Sequence, residues 1–137
     1  MQMTQATPPR RWLRSTSAVF AGLVAVFVLS LGTDQALHTL QVYPPWGVPM
    51  RETSLNLLAL SYRLVYGVIG GVVTAWLAPH APVRHALILG GIGLALSTLG
   101  AIGAIASDIG PAWYPILLAI TALPCAWLGG VLVQRRR

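Results

Sequence analysis

Arg63 is the residue of this chain whose position most needs a chemical partner. It lies about eight residues inside an apolar segment that begins at Leu55, and an arginine at membrane depth costs about 2.5 kcal/mol or more. Asp34 is the first candidate partner, because it falls in the outer half of the preceding helix if that helix continues to Leu40. Asp108, at the end of the third apolar segment, is the second. The sequence therefore predicts a buried ion pair between Arg63 and a carboxylate.

Two further polar residues share a helix face with Arg63. Asn56 precedes it by seven residues and Tyr66 follows it by three, spacings that bring side chains to one side of an α-helix. The predicted site is a buried polar cluster of Arg63, Asp34, Tyr66 and Asn56 that opens toward the outside. One interpretation is an ion or substrate site, as charges within membranes often are. The other, which we favour, is a structural clasp in which the guanidinium holds two helices in register.

The remaining reactive residues are isolated from one another. His80 and His85 are five residues apart and His38 lies on the other side of the membrane, which fits no metal-ligand motif, so the histidines are predicted to be solvated. Cys125 is the only cysteine, which excludes an internal disulfide. No Ser-His-Asp spacing and no paired carboxylates are found. The sequence therefore predicts a protein that is not an enzyme, with no catalytic residue, no metal and no cofactor.

The composition is that of a membrane protein. Of the 137 residues, 55% are hydrophobic and only 9% are charged, whereas a soluble domain carries about 25% charged residues. The net charge of +6 comes from nine arginines that lie mostly beside apolar segments and do not form one patch. This distribution argues against nucleic acid as a partner and for the lipid bilayer.

Four apolar segments are long enough to cross a bilayer as helices, since about 20 residues at 1.5 Å each span the hydrocarbon core. The predicted fold is an all-α transmembrane four-helix bundle with antiparallel neighbouring helices, formed by a single domain at residues 15–134. The predicted spans are residues 17–40, 55–77, 85–106 and 113–133. Residues 1–14 are predicted to be a cytoplasmic tail and residues 135–137 a cytoplasmic arginine tail.

The arginines predict the orientation of the bundle. With both termini in the cytoplasm, seven arginines lie inside and one lies in an outer loop, in agreement with the positive-inside rule. The seven are Arg10, Arg11, Arg14, Arg84, Arg135, Arg136 and Arg137, and the one is Arg51. We expect a multi-pass protein of the bacterial inner membrane.

Small residues recur four apart on the last three spans and predict close helix packing. They include Gly67, Gly71, Gly93, Ser97, Ala126 and Gly130. Such residues let helix backbones approach each other, either within one chain or between two copies. The sequence leaves both possibilities open.

Several segments carry a family resemblance. The most specific are the YR, Y and GG positions between Tyr62 and Gly71, the turn from Ala78 to Ala86, and GPAWYP before the last span. With GTDQALH and YPPWG, they make the chain similar to a family of small bacterial four-helix integral membrane proteins. The resemblance implies the same topology and brings no assigned activity with it.

These observations predict a non-catalytic integral membrane protein, either an accessory subunit of other membrane proteins or a bundle that associates with itself. The alternative is a small transporter or channel with a polar site at Asp34 and Arg63.

Overall fold

The computed structural model describes residues 8–137 of the chain. This part forms four helices and no β-strand: α1 (Pro8–Thr39), α2 (Thr53–Leu77), α3 (Pro82–Ala106) and α4 (Trp113–Arg136). All four are long and apolar enough to cross a membrane. The prediction of an all-α bundle of four membrane-spanning helices is confirmed.

The ends of the helices follow from local backbone chemistry. Helix α1 ends in a Schellman motif, in which Gln41 adopts a left-handed conformation and the amide of Val42 donates to the carbonyl of Leu37 over 2.9 Å. Helix α2 ends because Pro79 forces the residue before it into an extended conformation. Pro82 starts α3, where its missing amide hydrogen and fixed φ suit the first turn.

Helix α1 begins earlier than the sequence predicted. It starts at Pro8, so that Arg10 and Arg14, which were predicted to lie in the tail 1–14, are exposed residues of the first helical turns. Proline is favoured at a helix start and arginine is a good helix former, so the helix continues beyond its apolar part. Residues 1–7 of the predicted tail lie outside the described residues.

The helices do not pack equally on one another. Helix α4 lies against both α2 and α3, whereas α1 packs mainly on α2, has a smaller contact with α3 and does not approach α4. Thr74, fully buried on α2, donates a hydrogen bond to the carbonyl of Ala18 over 3.0 Å and so ties α1 to α2. Helix α1 is therefore a peripheral helix held by α2.

One end of the bundle, which we name the arginine end, contains the seven arginines predicted to lie inside. Arg137 is used structurally there, because its Nη2 lies 3.1–3.3 Å from the carbonyl oxygens of Ala75, Trp76 and Ala78. These carbonyls end α2, and a cation at a helix C-terminus satisfies them and opposes the helix dipole. The opposite end carries the loop between α1 and α2 and is named the loop end.

His85 is buried, so the prediction that it is solvated is wrong. Its side chain is 4% exposed, its Nε2 lies 2.9 Å from the Ser15 hydroxyl, and its Nδ1 lies 3.0 Å from the carbonyl of Ala81. A carbonyl oxygen only accepts, so Nδ1 carries a hydrogen, while Nε2 pairs with the Ser15 hydroxyl. These two contacts replace the hydrogen bonds that water would make to the ring nitrogens, so the ring can be buried.

Glycines bring the helix backbones together near the arginine end. A Cβ atom on Gly71 would overlap the backbone of Ala126, and one on Gly130 would lie 2.7 Å from the Cβ of Ala86. A Cβ atom added to Gly67 would lie 3.1 Å from the Cβ of Cys125. These four predicted packing residues, Gly67, Gly71, Ala126 and Gly130, therefore lie where α2, α3 and α4 are in tight contact.

The two packing residues predicted on α3 behave differently. A Cβ atom on Gly93 would meet that of Ala122 at 3.6 Å, an ordinary contact, and Ser97 is half-buried beside a cavity. Gly90, one turn nearer the arginine end than Gly93, is in tighter contact with α4, because an added Cβ there would lie 2.9 Å from Leu123. Helix α3 is thus tightly packed toward the arginine end and more loosely packed toward the loop end.

Candidate functional site

Arg63 and Asp34 form an ion pair between α1 and α2. The Nη2 of Arg63 donates to Oδ2 of Asp34. Asp34 is buried, with only 7% of its surface exposed. Arg63 lies ten residues after the first residue of α2, about 15 Å along the helix axis. The pair therefore lies deep within the bundle, where each charge needs the other.

Two tyrosines extend this ion pair toward the loop end. The Tyr62 hydroxyl donates to Oδ1 of Asp34, so both carboxylate oxygens accept a hydrogen bond. Because Tyr62 has given its single hydrogen to Asp34, Tyr43 must donate to the Tyr62 oxygen, which is 2.9 Å away. Burial raises the pKa of Tyr43 above its ordinary value of 10.0, so this hydroxyl stays protonated at neutral pH and remains a donor.

Helix α4 contributes an aromatic ring to the site. The Cζ atom of Arg63 lies 5.9 Å from the centre of the Tyr114 ring. A guanidinium at this distance from an aromatic face is attracted by the ring quadrupole. Arg63, itself on α2, therefore contacts groups of α1 and α4.

Two of the four predicted site residues bond elsewhere. Tyr66 has its hydroxyl 2.6 Å from Oγ1 of Thr33, beside the ion pair on the same helix interface. Asn56 donates from Nδ2 to the carbonyls of Met50 at 3.1 Å and Glu52 at 2.9 Å, and so fastens the loop to α2. Asn56 shares the helix face but lies two turns nearer the loop end than the ion pair, about 10 Å along the axis.

The second candidate partner of Arg63 is engaged elsewhere. Asp108 forms an ion pair with Arg51 at 2.9 Å, joining the two loops of the loop end. Both side chains are largely exposed, at 58% for Arg51 and 76% for Asp108. Asp34 is therefore the carboxylate that balances Arg63.

Sequence reasoning missed Tyr62, Tyr43 and Tyr114 as members of the site. On α2, the predicted cluster includes only residues that share a helix face with Arg63. The adjacent Tyr62 lies about 100° around the helix and so was not included. A usable signal was present, because Tyr62 precedes Tyr66 by four residues and both reach the consecutive residues Thr33 and Asp34 on α1. Tyr43 lies in the loop after α1 and Tyr114 on α4, so their approach to the ion pair depends on how these elements pack.

Two cavities meet at Arg63. The loop-end cavity has a volume of about 320 Å³ and is lined by Asp34, Arg63, Tyr43, Trp46 and Tyr114, among others. The mid-bundle cavity has a volume of about 250 Å³ and is lined by residues of all four helices, mostly apolar, with Arg63 in its wall. Arg63 is therefore a charged group in the walls of both cavities.

The chemistry of this site is that of hydrogen bonding and charge pairing. Asp34 accepts hydrogen bonds from Arg63 and Tyr62, which occupy both of its carboxylate oxygens. Among residues 8–137, no three His, Cys, Asp or Glu side chains lie together in a way that could hold a metal ion. The arrangement can fix α1 against α2 and can donate hydrogen bonds from the rest of the guanidinium.

The fold and the site together define a class: a multi-pass membrane protein built as a four-helix bundle around one buried ion pair. Comparisons of the chain with family models, with curated proteins and with solved structures gave no match.

Proposed function

We propose that this protein is a non-catalytic membrane subunit that acts by associating, through the outer face of α3, with a second copy of itself or with another membrane protein. The ion pair of Arg63 and Asp34 serves in this proposal as the clasp that keeps α1 in register on α2. We also propose that the chain belongs to the family of small bacterial four-helix membrane proteins that its sequence segments resemble.

The observation that carries the proposal is an unused line of small residues on α3. Gly91, Ala95 and Thr98 share one face of the helix and are exposed. Within residues 8–137, no atom lies within 4 Å of a Cβ placed on Gly91. Glycine in a helix destabilises it by about 1 kcal/mol relative to alanine. At Gly91 no close helix contact among the described residues offsets this loss of stability. Between helices in lipid, small residues four apart allow the close approach that drives association.

We expect the protein to associate in lipid and Gly91→Leu to weaken that association at least tenfold, because the larger side chain keeps the α3 helices apart. The measurement is energy transfer between donor- and acceptor-labelled copies in liposomes as the protein-to-lipid ratio is lowered. Gly100→Leu is the control, because an added Cβ on Gly100 likewise has no described atom within 4 Å but lies on the opposite side of α3.

Two results would refute self-association through this face. One is energy transfer that stays at the level of random proximity at every protein-to-lipid ratio. The other is association that Gly91→Leu leaves unchanged. A wild-type chain that is monomeric in liposomes but co-purifies with a larger membrane protein in a Gly91-dependent way would identify the accessory-subunit form of the proposal.

The proposed location is the bacterial inner membrane, with both termini and the arginine end in the cytoplasm. The excess of arginines at this end, seven against Arg51 at the other, supports this orientation. In a chain carrying Cys125→Ala, we expect Gly47→Cys to react in intact spheroplasts with a maleimide that does not cross membranes. Gln134→Cys should react only after permeabilisation, and the reverse pattern would overturn the orientation.

The second candidate function is a small transporter with its polar site at Asp34 and Arg63. The loop-end cavity favours it, because this space reaches both charged side chains from one end of the bundle. Toward the arginine end, the glycine contacts of α2 with α4 close the bundle, so transport would require these helices to separate. Substrate-dependent flux in liposomes from the purified chain would favour this candidate over the subunit.

A further inference from the structure

We propose that the mid-bundle cavity is a binding site for a lipid-soluble molecule with an uncharged ring carbonyl on an apolar chain, of the quinone class, held at the carbonyl by the Arg63 guanidinium. This inference goes beyond the association proposed above and does not depend on it. The cavity face of α3 includes Gly93 and Ser97, whereas the proposed association face lies on the other side of the helix.

The position of the cavity determines how a ligand would enter. Three of its lining residues are also exposed on the outside of the bundle, namely Phe27 at 48%, Leu31 at 60% and Leu96 at 42%. Phe27 and Leu31 belong to α1 and Leu96 to α3, two helices that have only a small mutual contact. The cavity thus opens sideways between α1 and α3, toward the hydrocarbon of a membrane. A ligand that enters there must itself be soluble in lipid.

The hydrogen-bonding capacity of Arg63 determines what the ligand must offer. A guanidinium has five N–H donors and no acceptor. Nη2 donates to Asp34, while the buried Nε has no partner among the described residues. The side chain remains 26% exposed and forms part of the wall of the cavity. The N–H groups on this exposed part of the guanidinium can donate to a ligand, so a ligand with a hydrogen-bond acceptor is favoured.

The charge balance of the site selects a neutral acceptor. Asp34 already cancels the charge of Arg63, and the cavity lining is otherwise apolar or hydroxyl-bearing, with Ser30, Ser97 and Thr121 as its hydroxyls. An anionic head would leave one uncompensated negative charge in a low-dielectric space, which is costly. A carbonyl oxygen accepts from the guanidinium without that cost.

The depth of Arg63 in the membrane favours a ring carbonyl, and not the ester carbonyl of a membrane lipid, as the group that it binds. Arg63 is the eleventh of the 25 residues of α2, which places it about 3 Å from the middle of the helix. Lipid ester groups lie at the edges of a hydrocarbon core about 30 Å thick, about 15 Å from its middle. A phospholipid therefore cannot bring its ester to Arg63 without burying its headgroup. A quinone carries its carbonyls on an apolar ring, and Phe27 in the wall of the cavity is an aromatic surface for it.

The experiment compares three probes on the full chain in phosphatidylcholine nanodiscs. They are 2-decyl-1,4-benzoquinone, decylbenzene without the carbonyls, and dodecanoate as the anion. We expect saturable binding of the quinone above that of empty nanodiscs, and binding of the other two to be at least tenfold weaker. Equal binding of decylbenzene would show that Arg63 plays no part, and tighter binding of dodecanoate would show an anion site. Either result overturns the proposal.

Variants of α3 locate the binding. Gly93→Leu should weaken quinone binding at least tenfold, because the position tolerates a Cβ and the rest of the side chain fills the cavity. If Gly93→Leu does not fold, Ser97→Leu replaces it as the test variant, because Ser97 lines the same cavity and the larger side chain should also weaken binding. Gly91→Leu is the matched control and should bind the quinone as the wild type does, even where it abolishes association. Wild-type affinity in the folded cavity variants would refute the site.

Discussion

Replacing Arg63 by Leu is expected to lower the free energy of unfolding by about 3 kcal/mol or more. The change leaves Asp34, only 7% exposed, without its balancing charge. Tyr62 alone cannot compensate a buried carboxylate. The measurement is unfolding of the detergent-solubilised protein by increasing fractions of sodium dodecyl sulfate, followed by circular dichroism.

Asp34→Asn, made alone and together with Arg63→Leu, tests whether the two residues act as a pair. We expect the double variant to be more stable than the sum of the two single losses predicts, with a coupling of about 0.5–3 kcal/mol. Arg51→Leu is the control, because its ion pair with Asp108 is largely exposed and should contribute about 1 kcal/mol or less. Additive losses at Asp34 and Arg63 would show that the clasp between α1 and α2 does not exist.

Gly129→Ala is expected to destabilise the bundle by about 1–3 kcal/mol, the cost of overpacking a filled core. An added methyl group at this position would overlap the carbonyl of Val68 and lie 2.6 Å from the amide nitrogen of Val72. Both are backbone atoms of α2, so no side-chain rotation can relieve the overlap and α4 must move away from α2. The same unfolding assay in detergent measures the loss.

Gly100→Ala is the matched control for this prediction. Gly100 lies on α3 with nothing within 4 Å of an added Cβ, so the alanine should stabilise the helix by up to about 1 kcal/mol. The two glycine-to-alanine changes are thus expected to have opposite signs. Equal effects would show that α2 and α4 are not in backbone contact at Gly129.

The fold was predictable because lipid simplifies the physical problem. Length and hydropathy identify the spans, since every backbone amide in hydrocarbon must bond within its own helix. The predicted boundaries agree with the structure at Leu77 and Ala106, where prolines or turn residues stop the helices. The start of α1 was not predictable from hydropathy, because Arg10 and Arg14 are polar and yet good helix formers.

The site was predictable only in its charged part. The cost of burying Arg63 required a carboxylate, and the structure pairs it with Asp34. Tyr43 and Tyr114 were not predictable, because one lies in a loop and the other on α4, and their distances from the ion pair depend on how these elements pack. The choice of packing partners was also beyond the sequence. Gly22 contacts Gly70 and Thr74 across α1 and α2, and nothing in their spacing indicates which helices meet.

The balance of charge at Asp34 and Arg63 has a consequence for an energised membrane. One elementary charge moved across a membrane potential gains or loses about 2.3 kcal/mol per 100 mV. The deep pair sums to zero and moves as one unit, while the surplus arginines lie at the arginine end of the bundle. Voltage therefore exerts no net force on this pair, and a displacement of the pair within the membrane carries no gating current.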